Sequence, residues 1–392
     1  MLMKKRDLID FLALAAEQRA SDLHLTAGAP PMIRVAGVLQ PLTEEPLSPE
    51  DTRRLVIDVL KEGQRAKLEN EWQIDFALQV GDLGRYRGNA CYVSGAIEGN
   101  FRRIPSEVGD LKSLGHSPVV ERWCDERAGL VLLTGASGQG KSTTMASMAQ
   151  TLARRRSVNI VSIEDPIEFL HSQGRSLVNQ REIGSDARDF ASALKNALRQ
   201  DPDVILVGEM RDMDTIQTAI TAAETGHLVI GTMHTNDAPT AIARIIDAFP
   251  KEGKEFVASQ LAWSLLGVVC QYLLPRSDQP GLVLATELLR MNSGIGACIR
   301  DLRLSQIPGL IQIGHADGMH TVDDSLIELL LADRISLMDA MAHARDPNFV
   351  KEQFQQALKT QRKGWFAGMF SKRNPDLVGS NSIRREMPSK QS

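Results

Sequence analysis

The segment Gly135-Ala136-Ser137-Gly138-Gln139-Gly140-Lys141-Ser142 fits G-x-x-x-x-G-K-[ST] at every fixed position. It follows an apolar run over 129–134 and leads into a stretch with Met145, Met148 and Leu152 on one helical face. Strand, glycine-rich loop and helix in that order is the context in which this motif wraps phosphate. The glycines let backbone N–H groups turn inward onto phosphate oxygens, and the helix N-terminus adds its dipole. Lys141 neutralises β/γ charge, and the Ser142 hydroxyl is placed to ligate Mg²⁺. The predicted nucleotide cradle is therefore Gly135, Ala136, Ser137, Gly138, Gln139, Gly140, Lys141, Ser142 and Thr143, with ATP and Mg²⁺ as ligands and Ser142 as the metal-binding side chain.

Such a loop needs a mainly parallel sheet around it. Short apolar runs at 130–133, 160–163, 204–207 and 228–230 alternate with helical patterns, which predicts an α/β core. From about Gly253 onward the pattern reads as mostly helical. The 104 residues at the start have a different texture. A helix is expected over 4–19, a strand over 21–25 and a second strand over 33–39. Ser48, Pro49 and Asp51 spell a helix start: N-cap, first-turn proline and capping-box acid. Strands follow at 74–80, 85–93 and 96–104. The expected division is a small α+β unit over 1–104, a Pro/Gly/Ser-rich linker over 105–118, an α/β ATP-binding unit over 119–358 and a basic tail over 359–392.

Each strand of the core is expected to deliver polar groups at its C-terminal end, where an open α/β sheet binds ligands. One runs into Glu164, Asp165 and Glu168, which either arrange a general base and metal-bound water or begin a helix with acid at its N-terminus. Glu164, nearest the strand end, is the functional candidate. A second runs into Gly208 and Glu209. Many P-loop enzymes place a metal-holding Asp here; Glu209 is instead placed to polarise water for attack on the γ-phosphate, or else it pairs with Arg211. His227 and His234 bracket a third strand. Their odd spacing puts them on opposite faces, one as phosphate sensor and one as a packing residue or link to a neighbour.

Forty-five Lys+Arg against 49 Asp+Glu give a net charge of −4, which argues against direct nucleic-acid binding. Four cysteines, at 91, 124, 270 and 298, form no C-x-x-C pair, which excludes the common zinc patterns and suggests a reducing compartment. The basic start is interrupted by Asp7, Asp10 and Glu17, and the longest apolar stretch, 261–274, contains Ser264 and Gln271. These features predict neither a signal peptide nor a membrane span, and a cytoplasmic location.

The boxes taken together resemble the secretion and type IV pilus ATPases, and within them the pilus-retraction branch of twitching motility. The matching text is Ser21-Asp22-Leu23-His24-Leu25 with Gly28, Pro30 and Pro31; the loop Gly135 to Ser142; an acidic box at 164–169; Val178-Asn179-Gln180-Arg181-Glu182; Leu198-Arg199-Gln200-Asp201-Pro202-Asp203 leading to Gly208-Glu209-Met210-Arg211-Asp212; and a histidine box ending Thr225-Gly226-His227. The resemblance implies a PAS-like N-terminal domain, a RecA-like ATPase domain and a homo-hexameric ring at the cytoplasmic face of the inner membrane. Its partners would be an inner-membrane pilus platform protein and, for some members, a paralogous ATPase. Lys141, Glu164, Glu209 and His227 would act on ATP, with arginines of the N-terminal domain reaching the nucleotide: Arg85 and Arg87, on one strand face, and Arg102 and Arg103 on a later strand. The chain departs from the retraction motif in one C-terminal helix, where it reads Gly296-Ala297-Cys298-Ile299-Arg300-Asp301-Leu302-Arg303. That departure and the basic tail keep an accessory retraction paralogue as an alternative, beside a related ATPase of secretion, DNA uptake or plasmid transfer.

The tail adds one more expectation. From 356 to 392 eight basic residues face two acidic ones, and Trp365, Phe366, Met369 and Phe370 fall at helical spacing. Such a segment suits peripheral contact with an anionic membrane, or docking on the ring or a partner subunit.

Overall fold

The computed structural model describes residues 6–358, so the tail over 359–392 lies outside the described residues. The first sheet begins after helix α1 (Leu8–Glu17), which starts where Asp7 and Asp10 cap each other's backbone N–H groups. Strands β1 (Asp22–Leu25), β2 (Met32–Val35) and β3 (Val38–Pro41) follow, then α2 (Pro49–Ile57) and α3 (Glu62–Glu71). Three longer strands complete it: β4 (Gln73–Val80), β5 (Gly84–Val93) and β6 (Ala96–Ile104). The order is β3-β2-β1-β6-β5-β4, antiparallel throughout. Ser48 and Asp51 form the expected capping box of α2. The apolar faces of α1 and α2 meet the sheet in a core of Leu8, Leu12, Leu23, Leu55, Val56 and Phe101.

The strand expected over 33–39 is instead a hairpin. Ala36 (φ 49°) and Gly37 (φ 85°) both take positive φ, the backbone of a two-residue turn between twisted strands, and Val35 pairs with Val38 across it. Alanine is an uncommon residue at such a position, so Gly37 alone marked the turn.

The second sheet has seven strands: β7 (Gly129–Thr134), β8 (Asn159–Glu164), β9 (Leu177–Glu182), β10 (Val204–Val207), β11 (Leu228–Met233), β12 (Leu265–Pro275) and β13 (Leu282–Arg290). Their order is β13-β12-β7-β11-β10-β8-β9, parallel except for the β12–β13 hairpin. Around it stand α4 (Pro118–Trp123), α5 (Lys141–Arg155), α6 (Phe190–Ala197), α7 (Met213–Glu224), α8 (Ala238–Asp247), α9 (Lys254–Ser264), α10 (Ser293–Arg300), α11 (Ile307–Ile313), α12 (Val322–Leu331) and α13 (Leu337–His343). Leu130 and Leu132 join the core under α6 to α9, while Val131 and Leu133 join the core with Trp123 and the Met145, Met148 and Leu152 stripe of α5. Burying each such side chain stabilises the fold by roughly 1.5–3 kcal/mol.

The reading of a mostly helical segment beyond Gly253 is corrected by β12 and β13. The run over 265–274 is buried nearly throughout, so it lacks the period-2 alternation that marks a half-buried strand. Gly267 marks it after the fact: a Cβ there would meet the Trp123 ring at 2.3 Å and the Leu289 carbonyl at 2.4 Å. Strand β9, also absent from the sequence reading, is a polar edge strand in which only Val178 and Glu182 are buried. No helix among the described residues is long and apolar enough to cross a membrane.

Candidate active site

β7, β8, β10 and β11 run parallel, so their C-terminal ends lie along one sheet edge. The loop after β7 is shaped by Gly135 (φ 142°), Gly138 (φ 79°) and Gly140 (φ 78°). A side chain at Gly135 would stand 2.7 Å from the Gln271 carbonyl, so β12 braces the loop from behind. Gln271 also donates to the Gln139 carbonyl (3.3 Å) and to Thr144 Oγ1 (2.9 Å), and Gln139 Oε1 accepts from the Leu273 N–H. His116 Nε2 meets the same Thr144 hydroxyl at 2.8 Å, and burial lowers the His116 ring to about 4. The sequence reading took Gln271 only as an interruption of an apolar run. One polar side chain inside a long apolar run was the available signal.

A pocket at this edge is lined by Ser137, Gly138, Lys141, Ser142, Glu164, Asp165, Glu168, Glu209, Arg211 and His234, among others. Lys141 Nζ donates to the Gly135 and Ala136 carbonyls at 2.7 and 2.8 Å and lies 3.5 Å from His234 Nδ1. Burial lowers its pKa, against the pull of Glu209 and Glu168. Glu209 pairs with Arg211, as the structural alternative expected, and also approaches His234 Nε2 at 3.2 Å. Both partners lie inside the pocket, so the ion pair does not take Glu209 away from it. Glu164 is 4% exposed and accepts from Ser162 Oγ (2.6 Å) and Gln180 Nε2 (2.9 Å). Burial raises its pKa, offset in part by those donors. The segment after β8 forms no helix, so the acids at 164–168 are not a helix N-terminus.

His227 is not brought to this pocket. It precedes β11, whereas the pocket lies beyond the other end of that strand, and six residues at ~3.3 Å each separate the ends by about 20 Å. Its Nδ1 instead meets the Ala222 carbonyl at 2.9 Å, closing the turn after α7. His234 occupies the place expected of a phosphate-facing histidine.

Nor does any of the four arginines line the pocket. Arg85 pairs with Glu182 at 3.0 Å, linking the two sheets, and Glu182 also accepts from the Ile167 N–H at 3.2 Å. Arg87 stands 3.9 Å from Asp75 and faces a cavity of about 380 Å³ bounded on its far side by Asp165, Pro166, Ile167 and Glu182. Arg102 is the cross-strand partner of Arg87 and pairs with Asp22 at 2.8 Å. Arg103 is the cross-strand partner of Tyr86, so its side chain takes the opposite sheet face from Arg85, Arg87 and Arg102.

A family model described as Type II/IV secretion system protein matches residues 5–281. The chain belongs to that family. It is a P-loop ATPase and binds ATP. The chain is 43% identical to the type IV pilus retraction ATPase PilT of Pseudomonas aeruginosa, over 87% of its length and 99% of that one. It is 41% identical to a twitching motility protein of Neisseria gonorrhoeae, over 80% and 85% of the two chains, and 38% identical to the P. aeruginosa type IV pilus ATPase PilU, over 86% and 88%. Among solved structures, the ADP-bound pilus retraction motor PilT superposes with a TM-score of 0.83 at 43% identity, covering 89% of this chain and all of the other. The ATPase DotB of Legionella pneumophila reaches 0.74 at 26% identity, over 85% and 94%. The α/β architecture of this chain is thus that of the retraction motor it matches: an N-terminal domain followed by a RecA-like ATPase domain.

Ser142 is the pocket side chain that would hold Mg²⁺. No group of three or more His, Cys, Asp or Glu among the described residues is arranged to hold a metal. Mg²⁺ is commonly held by substrate phosphates, water and one or two protein oxygens, and Ser142 lines the phosphate loop as one such oxygen.

Proposed function

We propose that this chain is a motor that hydrolyses ATP to drive retraction of a type IV pilus. One observation carries the reading: Lys141, Ser142, Glu209 and His234 share a pocket in a chain that matches a retraction ATPase along almost its whole length. In this reading Lys141 holds the β/γ-phosphates, Ser142 contributes to Mg²⁺ and Glu209 orients and polarises the attacking water. Glu164, buried and held by Ser162 and Gln180, positions the acidic loop beside them. The proposed units are 1–104, the linker 105–118 and 119–358, assembled as a homo-hexamer against an inner-membrane pilus platform protein. The test is imaging of labelled pili in cells deprived of this chain. Pili should extend and fail to retract, and the parent chain but not Glu209→Gln should restore retraction. Retraction at normal frequency and reduced force would favour the accessory reading, which the divergent text at 296–303 and the PilU relative support.

We further propose that arginines of the N-terminal unit complete the site across subunits, since none of Arg85, Arg87, Arg102 and Arg103 lines the pocket of its own chain. Subunits carrying Arg85→Ala and Arg87→Ala, mixed with Glu209→Gln subunits, should regain part of the parent ATPase rate, because some mixed interfaces then hold both elements. A mixture as inactive as either parent would count against the assignment. Arg87 is the better placed of the two, since Arg85 is engaged by Glu182.

A further inference from the structure

Four residues, His234 to Asp237, connect the end of β11 to α8. One end of this segment is in the pocket, where His234 touches Glu209 and Lys141. The other end is held from a different part of the fold. Asp237 caps α8 at the Thr240 N–H (2.7 Å) and lies 3.5 Å from Arg345. The Ala238 N–H donates to Glu287 at 2.9 Å, and Tyr272 donates to the Asn236 carbonyl. Glu287 is 1% exposed on β13, and Arg345 reaches it at 3.0 Å. Arg345 follows α13, and Asp323 of α12, itself buried, accepts from the backbone N–H groups of Arg345 (2.8 Å) and Asp346 (3.0 Å).

We propose that Arg345 is a positioning residue for ATP hydrolysis: bound to Glu287 and Asp237, it fixes the segment that presents His234 to Glu209, and so ties the pocket to helices α12 and α13. Glu287 is a buried charge that is costly to keep without a partner, and Arg345, reaching it from the chain after α13, supplies that partner. The chain between pocket and helices is a single four-residue segment, short enough that displacement at one end is felt at the other. The inference rests on the assignment of the Lys141–Glu209 pocket as the hydrolytic site. Failure of that assignment would appear separately, as turnover indifferent to Lys141 and Glu209.

The experiment is steady-state ATPase kinetics on the full chain, with ¹³C-labelled histidine NMR alongside. Arg345→Gln should lower kcat about tenfold and leave KM for ATP within about twofold, the range in which relayed positioning acts. The His234 ring resonance, identified by its loss in His234→Gln, should shift. Since Arg345→Gln leaves Glu287 buried without its partner, Glu287→Gln/Arg345→Gln is the second variant: it removes both charges and should show the same loss of kcat. Asp323→Asn, which loosens only the backbone of Arg345, should give a smaller loss in the same direction. An unchanged kcat in the double variant would overturn the proposal. So would a lowered kcat with the His234 resonance unmoved, because Arg345 would then support only the helices.

Discussion

Lys141→Ala is expected to lower ATP turnover by about 10³-fold or more and to weaken nucleotide binding with it. The ammonium is the one lysine in the pocket, at the start of α5, where it bonds the Gly135 and Ala136 carbonyls. In the proposed reading its removal takes away the charge at the β/γ-phosphates, and the neighbouring Arg211 is committed to Glu209. The fold should survive, since the loop remains braced by Gln271 and Leu273 through Gln139. Fluorescent-ATP binding, phosphate release and thermal melting on the same samples separate these effects. Tight binding with normal turnover in Lys141→Ala would move the phosphate site elsewhere.

Glu209→Gln should separate binding from chemistry. Glutamine keeps the size and one acceptor oxygen, so ATP affinity should stay within a few-fold. In the proposed reading the negative charge that polarises water is gone, and kcat should fall by about 10²–10⁴. Binding of ATP measured beside phosphate release decides the matter. Hydrolysis near the parent rate would shift the base to Glu164. That residue is a poorer candidate on geometric grounds: it is buried, and it already accepts bonds from Ser162 and Gln180.

The parts of this molecule that the sequence made legible are those whose physics is local. The phosphate loop was readable because its glycines, lysine and serine act within eight consecutive residues flanked by strand and helix. The capping box at Ser48 and Asp51 was readable for the same reason. The choice between His227 and His234 was not local: both flank one strand, and only the parallel order of β7, β10 and β11 says which end faces the loop. β12 and β13 were hidden because burial on both faces erases the alternation that distinguishes a strand from a helix. The arginines illustrate a third case. Alternation along β5 correctly put Arg85 and Arg87 on one face, but the partner each finds depends on contacts across two sheets. Adjacent residues cannot share a strand face, so Arg102 and Arg103 were separable from the sequence by the same rule.

The boundary between the two sheets bears on how long such a machine lasts. Where they face each other, Lys67, Glu71, Asp75, Arg87 and Asn89 look across a cavity at Asp165, Glu182 and Ser185, and the Arg85–Glu182 pair spans the gap. An oily seam would bind the halves firmly, and each opening would present adhesive surface to every crowded neighbour. A seam of charges and amides exchanges one set of partners for water and back again at small cost. A joint lined this way, if parted, would offer water groups it can pair with rather than an adhesive apolar face.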